Sequence, residues 1–237
     1  MEVRRLSLAE GARAAEGTAV IIDVFRAFTC EPLMFYCGAR RILLEGDPDA
    51  CRAYRKLEPD AVLVGEINEV PIEGFDLTNS PSFILACGPA LFEGRTVVHR
   101  TTSGVAGALA ALERCDEVLL ASFANARATT EYLRRRGPRV VSIVAMGIRS
   151  MEKAPEDEAC GDCLESLLSD PAPARSYDHV AAMAEILSHE TAQKFLRGDK
   201  PYLPREDPVF CLQRDLFDFA LRAERHGAQV EAMRVRP

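Results

Sequence analysis

The chain lacks the features that would carry it into a membrane or across one. It has no run of about 18 apolar residues, and Met1-Glu2-Val3-Arg4-Arg5 leads into a mixed segment without the apolar centre of a signal peptide. The expected location is therefore the cytoplasm, with no membrane partner. A basic tail is also missing, and 29 Lys and Arg stand against 36 Asp and Glu, a formal charge of -7. That balance disfavours nucleic acid as a partner. There is no GxxxxGK[ST] loop and no serine-hydrolase elbow, which removes P-loop nucleotide binding and acyl transfer by that route. No internal repeat or low-complexity tract is found.

What is present is enough apolar material for one substantial core or two small lobes. The 237 residues are 48% hydrophobic, and the eight cysteines are scattered among apolar neighbours, so reduced thiols are expected rather than a disulfide framework. Apolar, β-branched runs at Ala19 to Phe25, Arg41 to Leu44, Ala61 to Gly65, Arg95 to Arg100, Glu117 to Ser122 and Arg139 to Ala145 read as strands. Between them Ala27 to Cys37, Asp49 to Leu57, Gly104 to Arg114 and Asn125 to Arg136 have the length and composition of helices. This alternation predicts an α/β fold with a largely parallel sheet flanked by helices.

The last third is expected to be mostly helical, over Glu156 to Leu168, Tyr177 to Leu196 and Asp207 to Arg225, with a closing strand from Gln229 to Val235. The segment Ser169-Asp170-Pro171-Ala172-Pro173-Ala174 is the best linker candidate. The expectation is one unit over 1–237 with a subdomain boundary near 169–176. The tail either completes the main sheet or forms a second lobe.

Ligands of parallel sheets gather where strands end and short polar turns enter helices. The turn Asp23-Val24-Phe25-Arg26-Ala27 puts a carboxylate at the end of a very apolar strand, where it requires a cation, a metal or several donors. A structural Asp23–Arg26 pair is one reading; a magnesium ligand or a nucleophile is the other. His99-Arg100-Thr101-Thr102-Ser103-Gly104 resembles a phosphate cradle at a helix N-terminus, although Thr102 or Ser103 could equally cap the helix. In Ser122-Phe123-Ala124-Asn125-Ala126, Asn125 either caps a helix or offers an amide to substrate. Gly65-Glu66 closes a short strand with a carboxylate, and Glu156-Asp157-Glu158 opens a helix with three more acids. Such hard oxygen ligands suit magnesium.

The loop Gly74-Phe75-Asp76-Leu77-Thr78-Asn79-Ser80-Pro81 crowds a carboxylate, an amide and a hydroxyl between glycine and proline, as an ordinary capped turn or as the wall of a site. Cys160-Gly161-Asp162-Cys163 is a single C-x-x-C. It has no second knuckle, the four histidines lack a matching spacing, and the pair falls within a helix already begun, so zinc and redox roles are disfavoured.

In order and spacing these turns, with Glu156-Asp157 and Cys160, resemble the 2-phosphosulfolactate phosphatase family; the match runs in named motifs from about Ala19 to Leu168 and more loosely through Asp207 and Cys211. The chain departs from the pattern at Ser103, where an asparagine is common, and at Gly161-Asp162, where Ala-Gly is usual. The resemblance implies an α/β fold peculiar to the family and a magnesium-dependent phosphatase that hydrolyses 2-phospho-3-sulfolactate to sulfolactate and phosphate, a step of coenzyme M formation in methanogens. The partner is then a small anionic phosphate ester, and a homo-oligomer is compatible with this reading. Asp23 or Asp76 is expected as catalytic carboxylate, and Asp23 with Glu66 or Asp157 as metal ligands. Arg26, Asn79, Ser80, Arg100, Thr101, Thr102, Ser103, Gly104 and Asn125 are expected around the substrate. A non-catalytic sensor of a phosphorylated carboxylic acid is the alternative.

Overall fold

The computed structural model describes residues 1–169 and 177–237, so the expected linker from 170 onward lies outside the described residues. In chain order the elements are β1 (Glu2–Ser7), α1 (Leu8–Ala14), β2 (Thr18–Ile22), α2 (Ala27–Tyr36), β3 (Arg41–Leu44), α3 (Pro48–Leu57), β4 (Val62–Ile67), β5 (Val70–Pro71), α4 (Pro81–Cys87), α5 (Pro89–Phe92) and β6 (Thr96–Arg100). They continue with α6 (Gly104–Ala111), β7 (Glu117–Ala121), α7 (Ala126–Arg136), β8 (Val140–Ala145), α8 (Pro155–Leu168), α9 (His179–Ser188), α10 (Glu190–Leu196), α11 (Asp207–Cys211), β9 (Ala220–His226) and β10 (Gln229–Val235).

The α/β class is observed, but the sheet is mixed rather than largely parallel. Its 10 strands run in the order β1-β8-β2-β7-β9-β10-β3-β6-β4-β5. Two parallel blocks, β1-β8-β2-β7 and β3-β6-β4, are joined at the centre by the β9–β10 hairpin, which is antiparallel to β7 on one side and to β3 on the other. The tail thus completes the main sheet. The expected helix from Asp207 to Arg225 is confined to α11, and Ala220–His226 is a strand because its backbone groups pair with β7 and β10, outweighing the helix preference of its Ala, Leu, Arg and Glu residues. The expected helix from Tyr177 to Leu196 is two helices, parted where His189 turns to extended backbone and accepts at Nδ1 from the Thr191 amide.

Three antiparallel steps separate the blocks, so along the ladder they run in opposite directions. Strand twist of roughly 20–25° per step accumulates to more than a right angle over the five steps from β2 to β6, which reconciles this with the meeting of their carboxyl ends. One core joins Ala19 and Ile21 of β2, Val62 and Val64 of β4, Val97 of β6 and Leu221 and Ala223 of β9 to Phe28 and Met34 of α2 and Val105 and Ala108 of α6. The alternate residues Val20 and Ile22 face the opposite side, against Phe123, Leu133, Cys160, Leu164 and Ile186. Both faces of β2 are therefore buried, which is why it reads as a continuous apolar run.

Cys160 and Cys163 are among the packing residues of that second side. All eight cysteines are free, and burial pushes the Cys160 thiol well up and Cys163 up to about 11.

Leu221 is fully buried at the centre of the sheet. Leu221→Ala is expected to cost about 2–5 kcal/mol in urea unfolding, against less than about 0.5 kcal/mol for the exposed Leu57→Ala. Equal effects would contradict a core built across the hairpin.

Candidate active site

The carboxyl ends of β2, β8, β4 and β6 meet around one narrow cavity of about 50 Å³. Its walls include Asp23 and Arg26 after β2, Glu66, Asn68 and Glu69 at the end of β4, and Asn79 from the loop before α4. Thr101 to Ser103 enter between β6 and α6, Gly147 to Arg149 follow β8, Glu156 and Asp157 open α8, and Lys194 and Phe195 come from α10.

Asp23, Asp157 and Glu66 are each fixed by backbone amides. Asp23 Oδ1 accepts from the Ala27 amide at 3.1 Å, while the Gly104 amide also favours its ionised form. Asp157 accepts from Val24 and Gly147 amides, each at 2.8 Å. Glu66 accepts from the Thr102 amide at 2.6 Å and hydroxyl at 2.9 Å. Glu156 accepts from the Thr191 hydroxyl at 2.9 Å. The third acid of that turn, Glu158, faces away to Arg5, Ser7 and Lys153.

Burial, and after it crowding, raises three of these acids. Burial, with the Glu66 charge adding, pushes Asp23 up to about 6; burial takes Glu156 up to about 7; burial with Asp23 and Glu156 as neighbours takes Asp157 well above the carboxylate range. Gly104 is required beside them, since a Cβ there would stand 2.8 Å from Asp23 Oδ2 and 3.0 Å from Ala27 Cβ.

The structure brings Asp23, Glu66, Asp157, Arg26, Asn79, Thr101, Thr102 and Ser103 together as cavity walls, with Gly104 packed behind Asp23. Other expected residues are placed elsewhere. The Asp76 carboxylate does not line the cavity; it pairs with Arg55 and accepts from the Leu63 amide at 2.8 Å. Ser80 is buried as the cap of α4 and donates to Asp207 at 2.8 Å. Arg100 donates to the Gly46 and Glu66 carbonyls. Asn125 is the buried half of a capping box with Ser122 and donates to the Leu120 carbonyl at 3.0 Å.

Arg26 does not pair with Asp23. Its guanidinium donates to Asp207 Oδ2 at 2.9 Å and the Tyr202 carbonyl at 3.1 Å, and lies 5.3 Å from the Phe195 ring centre. The expected phosphate cradle is also partly occupied: the Thr102 amide serves Glu66, and Ser103, one of the two expected caps, stands at the N-cap of α6 but makes no side-chain cap bond, the Thr101 hydroxyl accepting from the Val105 amide at 2.9 Å instead. The helix start holds carboxylates in place.

Lys194, Phe195, Glu69 and Arg149 were not legible as site residues. Lys194 reaches the cavity from the last third, ion-paired to Glu69; its only signal was a cation on a helical stretch. Among the described residues no three His, Cys, Asp or Glu side chains form a ready-made metal-ligand set. The donor chemistry nevertheless fits magnesium, which takes hard oxygens, keeps several waters and is commonly met by one or two carboxylates. A cation would also relieve the mutual repulsion that raises Asp23 and Asp157.

A buried carboxylate cluster beside Arg26 and Lys194, at the strand ends of an α/β fold, defines a protein built to handle a small anion with hydrolytic or transfer chemistry. A family model described as 2-phosphosulpholactate phosphatase matches residues 6–226. A probable 2-phosphosulfolactate phosphatase of Bacillus subtilis is 30% identical over 210 residues, covering 88% of this chain and 87% of that protein. Proteins of the same description from Deinococcus radiodurans, 34% identical over 64% of this chain and 62% of the relative, and from Caldicellulosiruptor saccharolyticus, 29% identical over 84% and 86%, are also similar. The chain belongs to the 2-phosphosulpholactate phosphatase family and is a phosphoric monoester hydrolase.

Asp23 has a folded pKa above its ordinary value of 3.8, so its contribution to stability is full below that value and is lost as pH rises through about 6. In metal-free protein, Asp23→Asn is therefore expected to gain stability relative to the unsubstituted chain as pH rises from about 4 to 8, by on the order of 3 kcal/mol. Urea midpoints that diverge in the opposite sense would contradict the buried cluster.

Proposed function

We propose that the protein is a magnesium-dependent phosphatase acting on 2-phosphosulfolactate or a related 2-phospho-hydroxy acid. The observation that carries the reading is the convergence of Asp23, Glu66 and Asp157 beside Arg26 and Lys194 in one cavity. Asp23 is its catalytic carboxylate, at the end of a strand buried on both faces and in the same cavity as Glu66 and Asp157. Asp23 with Glu66 or Asp157 would hold magnesium, which when bound neutralises charge on phosphoryl oxygens.

The chain's own residues supply the rest. Arg26, braced by Asp207, presents its remaining guanidinium donors to the ester, and Lys194 adds a second cation that can exchange Glu69 for an anionic group of the substrate. Ser103 offers a hydroxyl at the start of α6. Asp23, Arg26, Glu66 and Asp157 are buried, so these charges act in a medium of lower polarity than water.

Phosphate release is to be measured from 2-phosphosulfolactate and phospholactate, with magnesium and after chelation. Turnover is expected with magnesium only. Asp23→Asn is expected to lose about 10²-fold or more in kcat, whereas Asp76→Asn stays within a few-fold because Asp76 faces Arg55 outside the cavity. Full activity of Asp23→Asn would overturn the assignment.

A further inference from the structure

A chain of three buried polar side chains runs back from the cavity wall, and its two inner members, Glu31 and His99, take no part in the roles above. Glu31 of α2 and His99 of β6 are fully buried, and Asn79, from the loop before α4, is 3% exposed. His99 is held at both ring nitrogens, by Glu31 Oε1 at Nδ1 and by Asn79 Oδ1 at Nε2, each at 2.9 Å. Asn79 is the member that reaches the cavity. Its oxygen meets His99 Nε2, while its amide nitrogen makes no hydrogen bond among the described residues.

We propose that Glu31 and His99 are positioning residues that hold the Asn79 side chain with its NH₂ group aimed into the cavity, as a hydrogen-bond donor to a phosphoryl oxygen. The inference rests on the phosphatase reading of the same cavity. The amide oxygen of Asn79 carries no hydrogen, so His99 must donate from Nε2. The reverse amide orientation would turn a carbonyl oxygen toward Asp23, Glu66, Glu156 and Asp157, a ring of like partial charge. With the NH₂ group inward, the same ring attracts it, and an incoming phosphoryl group finds a fixed donor.

Glu31 decides the tautomer. One proton lies between its carboxyl and His99 Nδ1; whether the pair is carboxylic acid with neutral imidazole or carboxylate with imidazolium, Nε2 keeps its hydrogen. Burial raises the Glu31 carboxyl, and its Oε2 has no partner, so the shared-proton arrangement also limits the charge left on that oxygen. Without a donor at position 31, a neutral His99 could place its proton on Nδ1 and let the Asn79 amide turn over.

The test uses the magnesium-loaded full chain with phospholactate for kinetics, and inorganic phosphate as the probe for ¹⁵N NMR of the His99 ring and the Asn79 side-chain amide. His99→Phe and Asn79→Ala are each expected to lower kcat by about 10–100-fold with KM within about threefold, and the double variant is expected to be no worse than Asn79→Ala. Glu31→Gln, which retains a donor to Nδ1, is expected to recover most of the activity that Glu31→Leu loses. In unsubstituted protein Nε2 carries the proton and the Asn79 NH₂ signals move on adding phosphate; in His99→Phe they do not.

Multiplying losses in the double variant, or Asn79 signals indifferent to phosphate in the unsubstituted protein, would overturn the proposal. Absence of turnover in the unsubstituted protein would overturn the phosphatase reading, while the ring and amide signals would still decide the orientation. If His99→Phe does not fold, the comparison of Glu31→Gln with Glu31→Leu decides between positioning and packing, since loss of packing alone lowers stability and leaves the amide response to phosphate intact.

Discussion

Repulsion among buried carboxylates is the constraint on which the site depends. Asp23, Glu66, Glu156 and Asp157 share one narrow cavity, and an isolated carboxylate in such surroundings would be costly. The protein meets this with backbone amides at Ala27, Val24, Gly147 and Thr102, and with the start of α6. Those donors fix the acids without neutralising them. What is left is a negative site, and under the proposed function a bound cation would let a chain of net charge -7 receive an anionic ester.

The second requirement is that the two parallel blocks face each other. The β9–β10 hairpin at the sheet centre joins them, and the last third of the chain then reaches the cavity directly. Asp207 is the main tie: it accepts from Ser80, from the Ser82 amide and hydroxyl, and from Arg26, locking the loop before α4 to the turn after β2. That network is buried, so its partners act as a unit rather than as separate contacts. Lys194 and Phe195 complete the same wall from α10.

Much of this was legible in the sequence. Asp23 stood out because a carboxylate ending a run as apolar as Ala19 to Ile22 must be doing something other than meeting solvent, Glu66 as an acid closing a short strand and Asp157 as an acid opening a helix. Asn79 was found with its loop, but Asp76 in the same loop was not separable from it, because only the fold decides which side of β4 a side chain meets. Strand β9 was read as helix because its residue types favour helix and its alternation is short; the turn at Gly227, with φ 63, was the local signal of a hairpin. His99 was visible only as a residue in a turn. Its partners lie 68 and 20 positions away, and no local pattern records such a pairing.

The proposed function rests on a cation site in which burial holds Asp23, Glu156 and Asp157 above their ordinary pKa until the cation binds. Magnesium binding near pH 6.5, followed by calorimetry in two buffers of different ionisation enthalpy, tests it most directly. The account predicts that binding releases protons and that the release falls in Asp23→Asn. Binding without proton release, or binding unchanged by that substitution, would contradict it.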